Sequence, residues 1–272
     1  MEGRPMKSII YNELRINQKP LLIWSIIMFL LAAFGGLEFS SLQGSFDVLL
    51  DAVETMPKIV RAFFGIYDEL PLNTPIGQYA CMQFWYALIA YAYAAYFGAY
   101  ILARDEHRRT SEFLYTKPFK RSSIMAAKLS VAFIHIFALS ALAAIGTIAF
   151  LLPGVGAMEL VPQVLLTTVG MLWTQCIFVA IGMLCTALLN SYRKVIFGSF
   201  AIFAASFAIS MYAELFGDFG FLNALSPIRY FRTPAVVLNG LSARFILLSL
   251  ALIIALLIVA AAINKARDLR AG

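Results

Sequence analysis

RDEHRRTSEFLYTKPFKR, running from Arg104 to Arg121, separates two apolar runs that are each long enough to cross a bilayer. A helix rises about 1.5 Å per residue, so about 20 consecutive apolar residues cover the hydrocarbon core. Four more such runs flank this pair, and the spans are placed at about 20–38, 79–103, 128–152, 161–190, 195–214 and 244–264. With 61% hydrophobic and 13% charged residues, and a mean hydropathy of +0.82, the chain reads as integral to a membrane. The expected fold is all-α: one polytopic domain over 1–272 with six transmembrane helices.

Basic residues are retained on the cytoplasmic side of a membrane. Sixteen of the 21 Lys and Arg fall in alternate connecting segments, among them Lys7, Arg15, Arg104, Lys128, Arg193 and Lys265. Both termini and the Arg104 to Lys128 loop are therefore expected in the cytosol; the expected location, a prokaryotic inner membrane, is a separate expectation that the charges do not decide. The net charge of +6 is mostly this orientation signal, with some attraction to anionic lipid, and no nucleic-acid partner is expected. No window reads as a cleaved signal, because the first apolar run is too long for a signal core.

Met6, Ile9, Ile10 and Leu14 share one helical face while Lys7, Arg15 and Lys19 share the other, which predicts an interfacial elbow helix over 6–19 that Pro20 ends. Between spans one and two, Phe46, Leu49, Leu50 and Val53 precede Pro57, and Val60, Phe63 and Phe64 follow it. A pair of short amphipathic helices on the outer surface is expected there. The segment 215–243, interrupted by Gly217, Gly220, Pro227 and Pro234, reads as a second outer piece.

Much chemistry is missing. There is no glycine-rich phosphate loop, no HExxH, no GxSxG and no pair of carboxylates within a span, so neither a built-in motor nor an intramembrane enzyme is supported. Cys81, Cys176 and Cys185 all lie within spans, and the two histidines, His107 and His135, cannot join them at zinc-ligand spacing. His135 reads as a hydrogen bonder between packed helices. The chain is expected to bind no cofactor or metal of its own.

Two features carry function. On span two, Tyr79, Gln83, Tyr86, Tyr93, Tyr96 and Tyr100 occupy a broad stripe bordered by Ala87, Ala90, Ala94 and Gly98. Small residues admit a neighbouring helix and the hydroxyls can bond across it or line a wet path, so packing, a substrate path and a dimer seam all stay open. In the charged loop, Thr110 can cap a short helix, Ser111 and Glu112 suit its first turn, and Lys117 suits its last turn before Pro118. That helix, about 110–117, presents Phe113, Leu114 and Tyr115, three adjacent bulky side chains for which a solvated loop has little use.

These residues resemble the permease subunits of type-2 ABC exporters, whose first cytoplasmic loop runs from an acidic residue through Gly-Thr, an acidic residue and Leu to Pro, Arg and Lys. The matching positions are Glu106, Thr110, Glu112, Leu114, Pro118, Arg121 and Lys128, with Arg109 standing where the family has Gly. Asn12 to Arg15, Met56 to Gly65 and Leu225 to Phe231 are similar to other family segments, so the likeness covers essentially the full length. The resemblance implies a cytoplasmic coupling helix at 110–117 and two copies of a separate ABC ATPase that binds ATP and Mg. It also implies a second permease, as homodimer or heterodimer, with the substrate path at their seam.

The reading that follows is a non-enzymatic permease subunit moving an amphipathic substrate such as a peptide antibiotic, drug or lipid out of the cytosol. A secondary carrier or channel-like protein working without ATP is the alternative, followed by a membrane-embedded assembly or immunity protein.

Overall fold

The computed structural model describes residues 3–42, 46–107, 121–217 and 220–271. Among them there is no strand, only one isolated bridge between Tyr67 and Leu70, and the chain is all-α. Among the described residues six helices are long and apolar enough to cross a membrane. They belong to α1 (Gly3–Leu42), α4 (Pro75–His107), α5 (Arg121–Gly146), α6 (Val161–Leu188), α7 (Tyr192–Phe216) and α10 (Ala243–Ala271). Short helices α2 (Phe46–Thr55), α3 (Lys58–Phe64), α8 (Gly220–Leu225) and α9 (Thr233–Asn239) sit at the end of the bundle away from the 108–120 segment. We call these the far end and the loop end.

The elbow helix expected to stop at Pro20 is not a separate element. α1 is continuous over 40 residues with Pro20 inside it, about 60 Å at 1.5 Å per residue. A proline within a helix removes one backbone hydrogen bond, here the bond to the Ile16 carbonyl. The helix formers on both sides, from Glu13 to Lys19 and from Leu21 to Leu31, carry it past that single gap. The short helices expected around Pro57 are present as α2 and α3. α3 closes at Gly65, whose φ of +73° lets the next amide, Ile66 N–H, return to the Arg61 carbonyl at 2.9 Å.

α4 and α6 form the centre. The apolar window of α6 is 67% buried and that of α10 only 11%, so α10 lies at the periphery with Leu247, Leu250, Ile254 and Ile258 facing outward as lipid-contacting side chains do. In a bilayer, helices gain nothing by hiding apolar surface from lipid, so close contact needs small residues and hydrogen bonds. α4 and α6 supply both. A Cβ on Gly98 would lie 2.5 Å from the Val179 carbonyl oxygen, and one on Gly182 would lie 2.7 Å from the Gly98 carbonyl carbon. Beside this crossing, Thr186 Oγ1 donates to the Ala99 carbonyl at 3.2 Å and Ser199 Oγ of α7 to Ala95 at 2.7 Å.

The helical path continues past Gly146, where α5 ends. It runs into a single π-helical turn, Thr147–Leu151, and one further α turn, Leu152–Val155, before Gly156 at φ +69° reverses the chain towards α6. This stretch lies on Gly36 of α1, where an added Cβ would meet the Phe150 backbone.

Candidate functional site

Among the described residues, three of the groups of polar side chains built into the bundle bear on function. At the loop end, Glu13 of α1, Arg104 of α4 and Lys128 of α5 meet with side chains no more than 5% exposed. Arg104 Nη2 donates to both Glu13 oxygens at 3.0 and 2.8 Å, and its Nη1 donates to Asn17 Oδ1 at 3.0 Å. Lys128 Nζ lies 3.3 Å from Glu13 Oε1 and donates to the Ile101 carbonyl at 2.5 Å. Asn17 is held in turn by donating to the Glu13 carbonyl at 2.8 Å. Buried charges persist only when paired and hydrogen-bonded, and here two cations share one carboxylate across three helices.

The second group is the tyrosine stripe on α4. Tyr79 bonds the Thr167 hydroxyl of α6, and Gln83 Nε2 reaches Met171 Sδ at 3.9 Å. Tyr93 and His135 Nδ1 of α5 share a hydrogen bond of 2.9 Å, and the imidazole stacks on Phe97 at 4.3 Å. Trp24 of α1 packs against Tyr93 at 5.4 Å. Tyr86 and Tyr93 are 0% exposed, so both face neighbouring helices of their own chain; Tyr96 and Tyr100 are half-buried and stack on each other at 5.4 Å. His135 is the interhelical hydrogen bonder that its position suggested.

The third group, at the far end, joins pieces distant in sequence. Arg232 donates to the two Glu69 oxygens at 2.8 and 3.2 Å, bonds Glu214 at the end of α7, and lies 5.0 Å over the Tyr67 ring. Arg229 reaches Glu214 at 3.4 Å and the Ser210 carbonyl at 3.2 Å. Burial raises the Tyr67 phenol above its ordinary value. Burial also opposes the charge on Arg232, but Glu69 and Glu214 outweigh it and hold its pKa above the usual value. Glu214 is the shared anion of two arginines.

The coupling-helix residues Thr110, Ser111, Glu112, Phe113, Leu114, Tyr115, Lys117 and Pro118 lie outside the described residues. Glu106 is in the last turn of α4 and Arg121 begins α5. Among the described residues no group of His, Cys, Asp or Glu could hold a metal ion, and the cysteines are free.

Residues 13–264 match the family described as multidrug efflux system permease Rv1217c, C-terminal domain. The chain belongs to that family. It is thus an efflux permease of the ABC exporter type, a multi-pass transmembrane protein. No curated protein and no solved structure matches it. The permease's matched region begins at Glu13 and so takes in the whole loop-end ion cluster. Sequence reasoning did not single out Glu13 or Asn17 as a site; the available signal was an acidic and an amide side chain four residues apart, one helical turn, in an otherwise basic segment.

Proposed function

We propose that this permease exports amphipathic molecules of the drug, peptide-antibiotic or lipid class from the cytosol. It is driven by two copies of a separate ABC ATPase that binds ATP and Mg, and it works as a pair of permease chains. The loop end faces the cytosol, and the 110–117 helix, with Phe113 and Leu114 as apolar anchors inside a rim of Arg108, Arg109 and Lys120, is the docking element. The matched family is named for a multidrug efflux system, which supports a drug-like substrate class.

One observation carries the coupling reading. Arg104 and Lys128 bracket the 108–120 segment in sequence, and both bind the same carboxylate on α1. A load applied to that segment thereby reaches α4, α5 and α1 together rather than one helix alone. Work delivered by a separate ATPase must cross such an interface through a few buried anchors.

Phe113→Ala combined with Leu114→Ala tests the reading. The double variant should insert and purify normally, lose co-purification of the ATPase and abolish drug efflux, because loss of central anchors costs about 2 kcal/mol or more. Undiminished ATPase binding and efflux would remove the 110–117 segment from the coupling role.

A further inference from the structure

The loop-end half of α1 carries a groove that the export reading does not use. It has a volume of about 780 Å³, and its walls include Tyr11, Arg15, Gln18, Leu21 and Leu22 of α1 and His135 of α5. The α1 residues recur every three or four positions and so form one stripe. Arg15, Gln18 and Tyr11 are exposed at the loop end of this stripe, whereas His135 is 0% exposed at its inner side. From Tyr11 to Leu22 the stripe runs about 16 Å at 1.5 Å per residue, roughly the depth of one leaflet of a core about 30 Å thick.

The imidazole is what makes this more than a lipid-facing crease. Its Nδ1 is engaged by Tyr93, but its buried Nε2 has no hydrogen-bond partner among the described residues. A buried polar atom left unmatched is costly unless something enters to meet it. His135 is one of the groove's lining residues, and where the Tyr93 hydroxyl donates to Nδ1 the ring proton sits on Nε2, which is then the imidazole's unmatched donor. Arg15 offers a cation, and Gln18 and Tyr11 offer further donors. Among the described residues no carboxylate lines the groove, and Glu13 is turned into the ion cluster.

We infer that this groove holds an anionic glycerophospholipid of the leaflet at the loop end, its phosphate at Arg15, an ester oxygen at His135 Nε2 and an acyl chain along Leu21 and Leu22. The assignment goes beyond the export reading and stands or falls separately from it, because lipid retention is measured without ATPase or substrate.

The test uses the full permease purified in mild detergent, titrated with phosphatidylglycerol or phosphatidylcholine of matched chains, with bound lipid counted by native mass spectrometry. Phosphatidylglycerol should be held about fivefold more tightly, the attraction of one basic residue for an anionic surface. Arg15→Gln should erase the difference. His135→Phe, which keeps a flat ring against Phe97, should weaken phosphatidylglycerol retention, and His135→Gln, which keeps a donor, should restore it. Equal retention of the two lipids overturns the inference, as does selectivity that survives Arg15→Gln or retention indifferent to His135→Phe. Glycerol phosphate binding as tightly as the lipid overturns it as a free phosphate site.

Discussion

Glu13 and Arg104, 91 residues apart in the chain, are joined at 2.8 and 3.0 Å inside the loop end of the bundle, and Lys128 completes the group from a third helix. A carboxylate between two cations in a buried site fixes α1, α4 and α5 to one another at the point where the 108–120 segment departs.

Glu13→Gln should therefore be among the most damaging single changes outside the segment. It removes the carboxylate that Arg104 and Lys128 share, and breaking a buried ion group by deleting one member costs about 3–5 kcal/mol. Thermal unfolding of the purified permease should show a large drop in midpoint. Arg104→Met should cost less, since Lys128 still neutralises Glu13.

At the α4–α6 crossing, Gly98→Val should destabilise the protein by about 1–3 kcal/mol, the usual penalty for overpacking. The added side chain meets the Val179 backbone rather than a flexible side chain, so relief requires the helices to part. Comparison with Gly156→Ala separates crowding from backbone strain, because nothing lies within 4 Å of a Cβ there but φ is positive. Loss of folded, monodisperse protein should be greater in Gly98→Val.

Tyr93→Phe leaves His135 Nδ1 without the hydroxyl it bonds, at a cost of about 1–3 kcal/mol for a stranded buried group. With Tyr93 0% exposed, the effect should appear in the melting temperature before it appears in efflux. Efflux lost at unchanged stability would instead place the hydroxyl on a substrate path.

Arg232→Lys keeps the charge but cannot bridge Glu69 and Glu214 while covering the Tyr67 ring, since a lysine offers a point charge where the guanidinium offers a planar fork. Hydrogen exchange should speed up in both 66–74 and 227–239, the two far-end segments tied by this side chain. Acceleration confined to one of them would show that the tie is not shared.

The number and order of spans were legible in the sequence because hydropathy is a property of each segment by itself: every stretch of about 20 apolar residues must satisfy its own backbone as a helix wherever it finally packs. Pro57 likewise marks the break between α2 and α3, and Ala90, Ala94 and Gly98 mark the close-packed face of α4. Pro20 misleads for the converse reason, since a local helix breaker states a cost of one hydrogen bond and not whether the flanking residues outweigh it. What only the tertiary structure decided are the meetings of distant polar groups: Glu13 with Arg104 and Lys128, Tyr93 with His135, and Glu69 with Arg232 across 163 positions. A charge in sequence has no partner until helices are placed side by side, and the energy of a buried ion pair depends on a few ångströms and on the surrounding dielectric, neither of which a linear pattern contains.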